Sequence, residues 1–91
     1  MIRVKLSGQL RDFTGGIREV TVDSAVTVLR LIDALEERFP GIRGRILDDQ
    51  SKARPYVNIF VNGENIRDAG HEGTRLSDGN LVYILPSVAG G

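Results

Sequence analysis

The chain has 91 residues, no cysteine and one histidine, and its 12 basic and 12 acidic side chains cancel to a formal net charge of zero. This length fits one domain with a small core, and the lack of thiols excludes a disulfide framework, a thiolate zinc site, a cysteine nucleophile and a cysteine-ligated iron-sulfur cluster. Neither charge sign forms a long block and no apolar run approaches the ~20 residues of a bilayer span, so a cytoplasmic protein without a nucleic-acid or membrane partner is expected.

Ile2, Val4 and Leu6 alternate with Arg3, Lys5 and Ser7, the period of a strand with one buried face. Thr14-Gly15-Gly16 supplies turn residues, and Glu19 to Val22 alternates again, so the two segments are expected to pair as a hairpin with Val20 and Val22 inward. From Val28 the period becomes helical: Val28, Leu31, Ile32, Leu35 and Phe39 share one side, with Arg30, Asp33, Glu36 and Glu37 on the other. Thr27, or alternatively Ser24, is the N-cap, and Phe39-Pro40-Gly41 ends the helix.

Ile42 to Leu47 is read as a short second helix burying Ile42, Ile46 and Leu47 beneath a polar loop, Asp48 to Lys52. Val57, Ile59 and Val61 then alternate with Asn58, Phe60 and Asn62. Asn62-Gly63 is a hairpin signal leading into a short fourth strand, Glu64 to Arg67. After a polar, glycine-rich stretch, Ser77-Asp78-Gly79-Asn80 turns the chain into Leu81 to Leu85, an apolar run expected to be a central strand.

This order predicts an α+β domain over residues 1–85, with a mixed sheet of about four to five strands packed on one main helix, the β-grasp (ubiquitin-like) arrangement. The first hairpin and the last strand are expected at its centre. Residues 86–91 are read as a flexible C-terminal tail; fully extended at ~3.3–3.6 Å per residue, it reaches roughly 20 Å. The chain stops on Gly90-Gly91, and glycine's lack of a β-carbon lets such an end thread a narrow cleft. If Val57, Ile59, Val61, Val82 and Ile84 face the helix, Phe60, Tyr83 and Leu85 face outward and form a partner-docking patch near the tail.

No catalytic set emerges, so the chain is read as a non-enzyme. His71, in a polar loop without a second ligand nearby in sequence, is expected to be solvated rather than metal-bound. Gly41-Ile42-Arg43-Gly44 matches a Gly-x-x-Gly loop but follows a helix stop and lacks a basic setting. Glu36-Glu37 and Asp48-Asp49 are read as solvated faces, since adjacent helix residues diverge.

The segment Val57-Asn58-Ile59-Phe60-Val61-Asn62-Gly63, the Leu76-Ser77-Asp78-Gly79-Asn80 turn and the ending Ile84-Leu85-Pro86-Ser87-Val88-Ala89-Gly90-Gly91 resemble the MoaD/ThiS family of β-grasp sulfur carriers. Within it, the Phe13 to Gly16 turn and the ending are similar to the CysO-type branch of cysteine biosynthesis, with molybdopterin synthase small subunits next. The resemblance implies that a ubiquitin-activating-type enzyme uses ATP and magnesium to adenylate the Gly91 carboxylate. Sulfide or a persulfide then displaces AMP, and a sulfur-donating thiocarboxylate results. Gly91 carries the sulfur, and Gly90, Ala89, Val88 and Pro86 are recognised along the partner's channel. The carrier binds no cofactor of its own. The implied sulfur-accepting partner is a pyridoxal-phosphate cysteine synthase, with a zinc metalloprotease releasing the product, or else the molybdopterin synthase large subunit. A ubiquitin-like modifier conjugated through Gly91, with only Lys5 and Lys52 to build chains on itself, is the other reading; a noncovalent binding module is a third.

Overall fold

The computed structural model describes residues 1–86. Five strands form one mixed sheet: β1 (Ile2–Leu6), β2 (Glu19–Val22), β3 (Val57–Val61), β4 (Glu64–Asn65) and β5 (Leu81–Pro86), in the order β2-β1-β5-β3-β4. β1 and β5 run parallel and every other neighbouring pair is antiparallel. Helices α1 (Val28–Arg38) and α2 (Ile42–Ile46) connect β2 to β3. A mixed sheet carrying its main helix on one face is the β-grasp arrangement expected from the periodicities.

The alternation in β1 places Ile2, Val4 and Leu6 in the core, where they meet Val28, Leu31, Ile32 and Leu35 of α1 and Val57, Ile59, Val82 and Ile84 of the inner strands. Thr27 is the N-cap of α1: its extended backbone stops the helix, and its hydroxyl accepts the Arg30 N–H at 3.2 Å. Ser24 takes no part in the cap. Gly41, at φ +98°, turns the chain out of α1 and into α2, so close to the Phe13 ring that a β-carbon there would lie 3.0 Å from Cε1.

Several expectations are corrected. β1 and β2 do pair antiparallel with Val20 and Val22 inward, but their connection is more than the Thr14-Gly15-Gly16 turn, because a 3-10 helix over Gly8–Phe13 intervenes and buries Leu10 against the core. Thr14, itself buried, steadies this connection by donating its hydroxyl to the Ile17 carbonyl at 2.8 Å. The first hairpin is not central as a unit: β5 is the middle strand, β1 lies beside it and β2 forms an edge. The fourth strand stops at Asn65 rather than Arg67, since Ile66–Asp68 curls into a 3-10 turn that buries Ile66, with the Asn65 carboxamide accepting the Arg67 N–H at 2.9 Å. Val61 is only half-buried. β5 extends through Pro86, which pairs with Val57, so the last residue of the sheet is the first one read as tail.

Glu36 and Asp48 are not simply solvated. The Glu36 carboxylate accepts the N–H groups of Gly41 (2.9 Å) and Arg43 (2.8 Å), which hold its pKa below the ordinary glutamate value. It thereby satisfies donors at the start of α2, where Gly41 has no side chain to do so. Asp48 accepts from Lys52 (3.0 Å) and Gln50 (2.8 Å) and closes the polar loop as a compact turn, with its pKa likewise lowered.

Candidate functional site

The sheet has one face covered by α1 and one without a helix. Paired residues in a sheet point to the same side, so the register maps the open face directly. Lys5 pairs with Glu19 on one side and with Tyr83 on the other; Tyr83 pairs with Phe60, and Phe60 with Asn65. A row Glu19–Lys5–Tyr83–Phe60–Asn65 therefore crosses all the strands. The next row toward the end of β5 places Leu85 beside Asn58.

Tyr83 and Leu85 each retain 37% of their surface exposed, whereas Val82 and Ile84, which alternate with them, retain none. Phe60 is half-buried on the same open face. The structure thus brings Phe60, Tyr83 and Leu85 together as an apolar strip running along β5 and β3 toward Pro86. Polar groups border it. Arg3 grips Glu19 with two nitrogens at 3.1 and 3.2 Å, which lowers the Glu19 pKa, and Arg67 reaches the Asn58 carboxamide oxygen at 3.0 Å on the other side.

The end of β5 is fixed by the 3-10 helix that sequence reasoning missed. Ser7 N–H donates to the Ile84 carbonyl at 3.4 Å. Gly8 lies against the Pro86 ring, and its φ of +61° is the left-handed conformation that favours glycine. The available sequence signal was Leu10, an apolar residue between β1 and the Thr14 turn that no strand or turn accounted for. Pro86 is thus a packed strand residue. Val88, Ala89, Gly90 and Gly91, the other terminal residues singled out from the sequence, lie outside the described residues.

The remaining chemistry-bearing residues do not converge. His71 is exposed, with its backbone in the left-handed region at φ 54° and its carbonyl accepting the Thr74 hydroxyl. Among the described residues, no group of three or more histidine and carboxylate side chains is placed to hold a metal, and no helix is long and apolar enough to cross a membrane. The open face carries a partly apolar strip with charged borders, running along β5 and β3 toward Pro86.

Comparison with known proteins places the chain in a family. Residues 4–91 match the ThiS family. The chain is 40% identical to the sulfur carrier protein CysO of Mycobacterium tuberculosis over 92 aligned positions, covering 99% of this chain and 98% of that one. It is 36% identical to small archaeal modifier protein 3 of Haloferax volcanii, covering 77% and 75% of the two chains. Among solved structures, a chain from the Amycolatopsis orientalis BexX/CysO complex superposes with a TM-score of 0.91 at 36% identity, with both chains covered completely.

Proposed function

The chain belongs to the ThiS family, and from that membership we propose that it is a sulfur carrier whose Gly91 carboxylate is the loading point. The observation that carries this reading is its end-to-end similarity to a CysO sulfur carrier. The open, partly apolar face beside the end of β5 supports it.

A carboxylate resists attack by sulfide because its carbon is electron-rich and its leaving group would be oxide. Transfer of AMP from ATP to the Gly91 carboxylate, with release of pyrophosphate, creates an acyl phosphate-type leaving group. Sulfide then attacks the acyl carbon, the bond to AMP breaks, and a thiocarboxylate remains. A ubiquitin-activating-type enzyme, with its own ATP and magnesium, does this chemistry. The carrier contributes the substrate terminus, the Gly90-Gly91 approach free of side chains, and a face by which the enzyme recognises it.

Ordering the terminal residues in an enzyme channel costs about 1–2 kcal/mol for each. Contacts of Val88 and Ala89 within the channel, and of Phe60, Tyr83 and Leu85 outside it, offset that cost. The loaded carrier then docks on a sulfur-accepting synthase of cysteine or a related sulfur metabolite. The solved BexX/CysO assembly is a precedent for a CysO protein engaging another protein.

The test is to incubate the purified chain with the ubiquitin-activating-type adenylating enzyme of its own organism, ATP, magnesium and sulfide, and to record intact mass. Replacement of one terminal oxygen by sulfur, lost when Gly91 is deleted, is the expected result. An unchanged mass, with the enzyme active on another carrier, would refute the carrier reading. The similarity to an archaeal modifier protein favours a second use of the same adenylate, conjugation of Gly91 to lysines of other proteins. Lysine-linked Gly-Gly remnants in digests of cell protein, dependent on this chain, would reveal it.

A further inference from the structure

Beside the apolar strip lies a groove of about 330 Å³ walled by Lys5, Ser7, Arg11, Arg18, Glu19 and Tyr83. Its residues come from β1, the 3-10 helix, the approach to β2 and β5. Its charge is one-sided. The one carboxylate in the wall, Glu19, is already gripped by Arg3. Among the described residues, no carboxylate lies within ion-pair distance of Lys5, Arg11 or Arg18, although Lys5 adds to the charges that lower the Glu19 pKa. The adjoining depression, which shares Arg11, adds a single carboxylate, Asp12. A chain with zero net charge therefore gathers these cations on one side of one end.

The position of that end gives the charge a use. The groove opens where Ser7 bonds Ile84 and Gly8 packs on Pro86, beside the last described residues of β5. Tyr83 belongs both to the groove wall and to the apolar strip, so the two surfaces are continuous.

We infer that the groove receives aspartate or glutamate side chains from an acidic segment of the protein that handles the chain's C-terminus. Guanidinium forks match carboxylates in shape as well as in charge. A cationic surface beside the loading point speeds encounter with an acidic partner and orients the docking, while the apolar strip supplies contact area. The inference rests on the carrier reading for the identity of the partner, whereas the preference of the groove for carboxylates stands by itself.

Two measurements test it. In the first, the full chain labelled with 15N is titrated with a polyglutamate peptide and, separately, with sodium sulfate at equal ionic strength. Amide shifts should centre on Lys5, Ser7, Arg11 and Arg18 with the peptide and shrink in Arg18→Glu. Shifts scattered over the surface, or reproduced equally by sulfate, would overturn the inference, the latter result defining a simple anion site instead.

In the second, association with the adenylating enzyme is followed by stopped flow for the wild type, for Arg18→Glu and for Arg75→Glu. Arg75 lines a different depression, with Ile2 and Asp78 at the opposite end of β1, and its reversal makes the same change in net charge. Arg18→Glu should slow association roughly tenfold at low salt, with the difference fading as ionic strength rises, while Arg75→Glu leaves the rate near wild type. Equal slowing by both variants, or by neither, would overturn the groove's role. Failure of the wild-type chain to acquire sulfur would count against the carrier reading alone, because the peptide titration reads the groove independently.

Discussion

On the helix side of the sheet, Val4, Val57, Ile59, Val82 and Ile84 have no exposed surface; on the other side of the same strands, Tyr83 and Leu85 keep 37% of theirs. Both faces arise from one alternating pattern, and β5 supplies both from adjacent residues. The covered side gains about 25 cal/mol for each Å² of apolar surface removed from water. The open side leaves part of that gain unrealised, and burial against a second protein would recover it. One face of the sheet holds the fold together, and the other keeps apolar surface that a docking partner would cover under the proposed function.

Substitutions on the covered side should have the largest effect. Leu35 is fully buried where α1 meets the sheet. Leu35→Ala should cost about 2–5 kcal/mol from lost transfer energy and the cavity left behind, read as a lower urea midpoint. A cost below about 1 kcal/mol would mean that the α1 interface is not close-packed.

The ends of α1 should follow. Gly41→Ala places a β-carbon in the left-handed region and 3.0 Å from the Phe13 ring, so a loss of about 1–3 kcal/mol is expected. Thr27→Ala removes the acceptor for the Arg30 N–H and should cost about 1 kcal/mol, while Ser24→Ala, at the rejected cap position, should cost less. Thermal or urea unfolding of the pair decides whether Thr27 is the working cap.

Legibility in the sequence followed the range of the interactions. Thr27, the buried side of α1 and the alternation in β1, β3 and β5 are local patterns whose spacing alone points to their structure. Asn62-Gly63 is likewise local as a turn signal, with Asn62 and Gly63 both at positive φ. Its second role was not legible: the Asn62 carboxamide accepts the Leu81 N–H at 2.7 Å and ties the turn to β5. The helix-capping role of Glu36 was hidden for the same reason, since its donors lie on the next helix. The 3-10 helix Gly8–Phe13 escaped because so short an element shows no apolar period, and Leu10 announces burial without a direction. The outward strip was visible as soon as alternation was assigned. The basic groove beside it was not, because Lys5, Arg11 and Arg18 meet only after β1 and β2 have paired around that unexpected helix.

A smaller effect, with a pH signature, belongs to Glu36. Its folded-state pKa is depressed by the Gly41 and Arg43 N–H bonds. Its contribution is therefore fully present above the ordinary value of 4.5 and is lost as pH falls through the lower folded-state value. Glu36→Gln should reduce stability at neutral pH and shrink the difference between neutral and acidic conditions. Unfolding curves at the two pH values check this; an unchanged difference would show that the carboxylate adds nothing at the α2 start beyond what a neutral amide supplies.

The smallest effect on stability, paired with a large one on activation, is expected on the open face. Leu85→Asp changes a side chain with 37% of its surface exposed and no place in the buried cluster, so the unfolding free energy from urea curves should fall by no more than about 0.5 kcal/mol. Phe60→Asp, at a half-buried site, should cost more, and comparing the two separates docking from folding. If the strip is the docking face, both variants should slow thiocarboxylate formation while remaining folded by circular dichroism. Leu85→Asp should do so without measurable loss of stability, because its cost falls on the complex. Wild-type rates in a folded Leu85→Asp protein would leave the exposed apolar surface without a recognition role and erase the division between the two faces. Impaired activation only in variants that also unfold would do the same, by making the open side another part of the core.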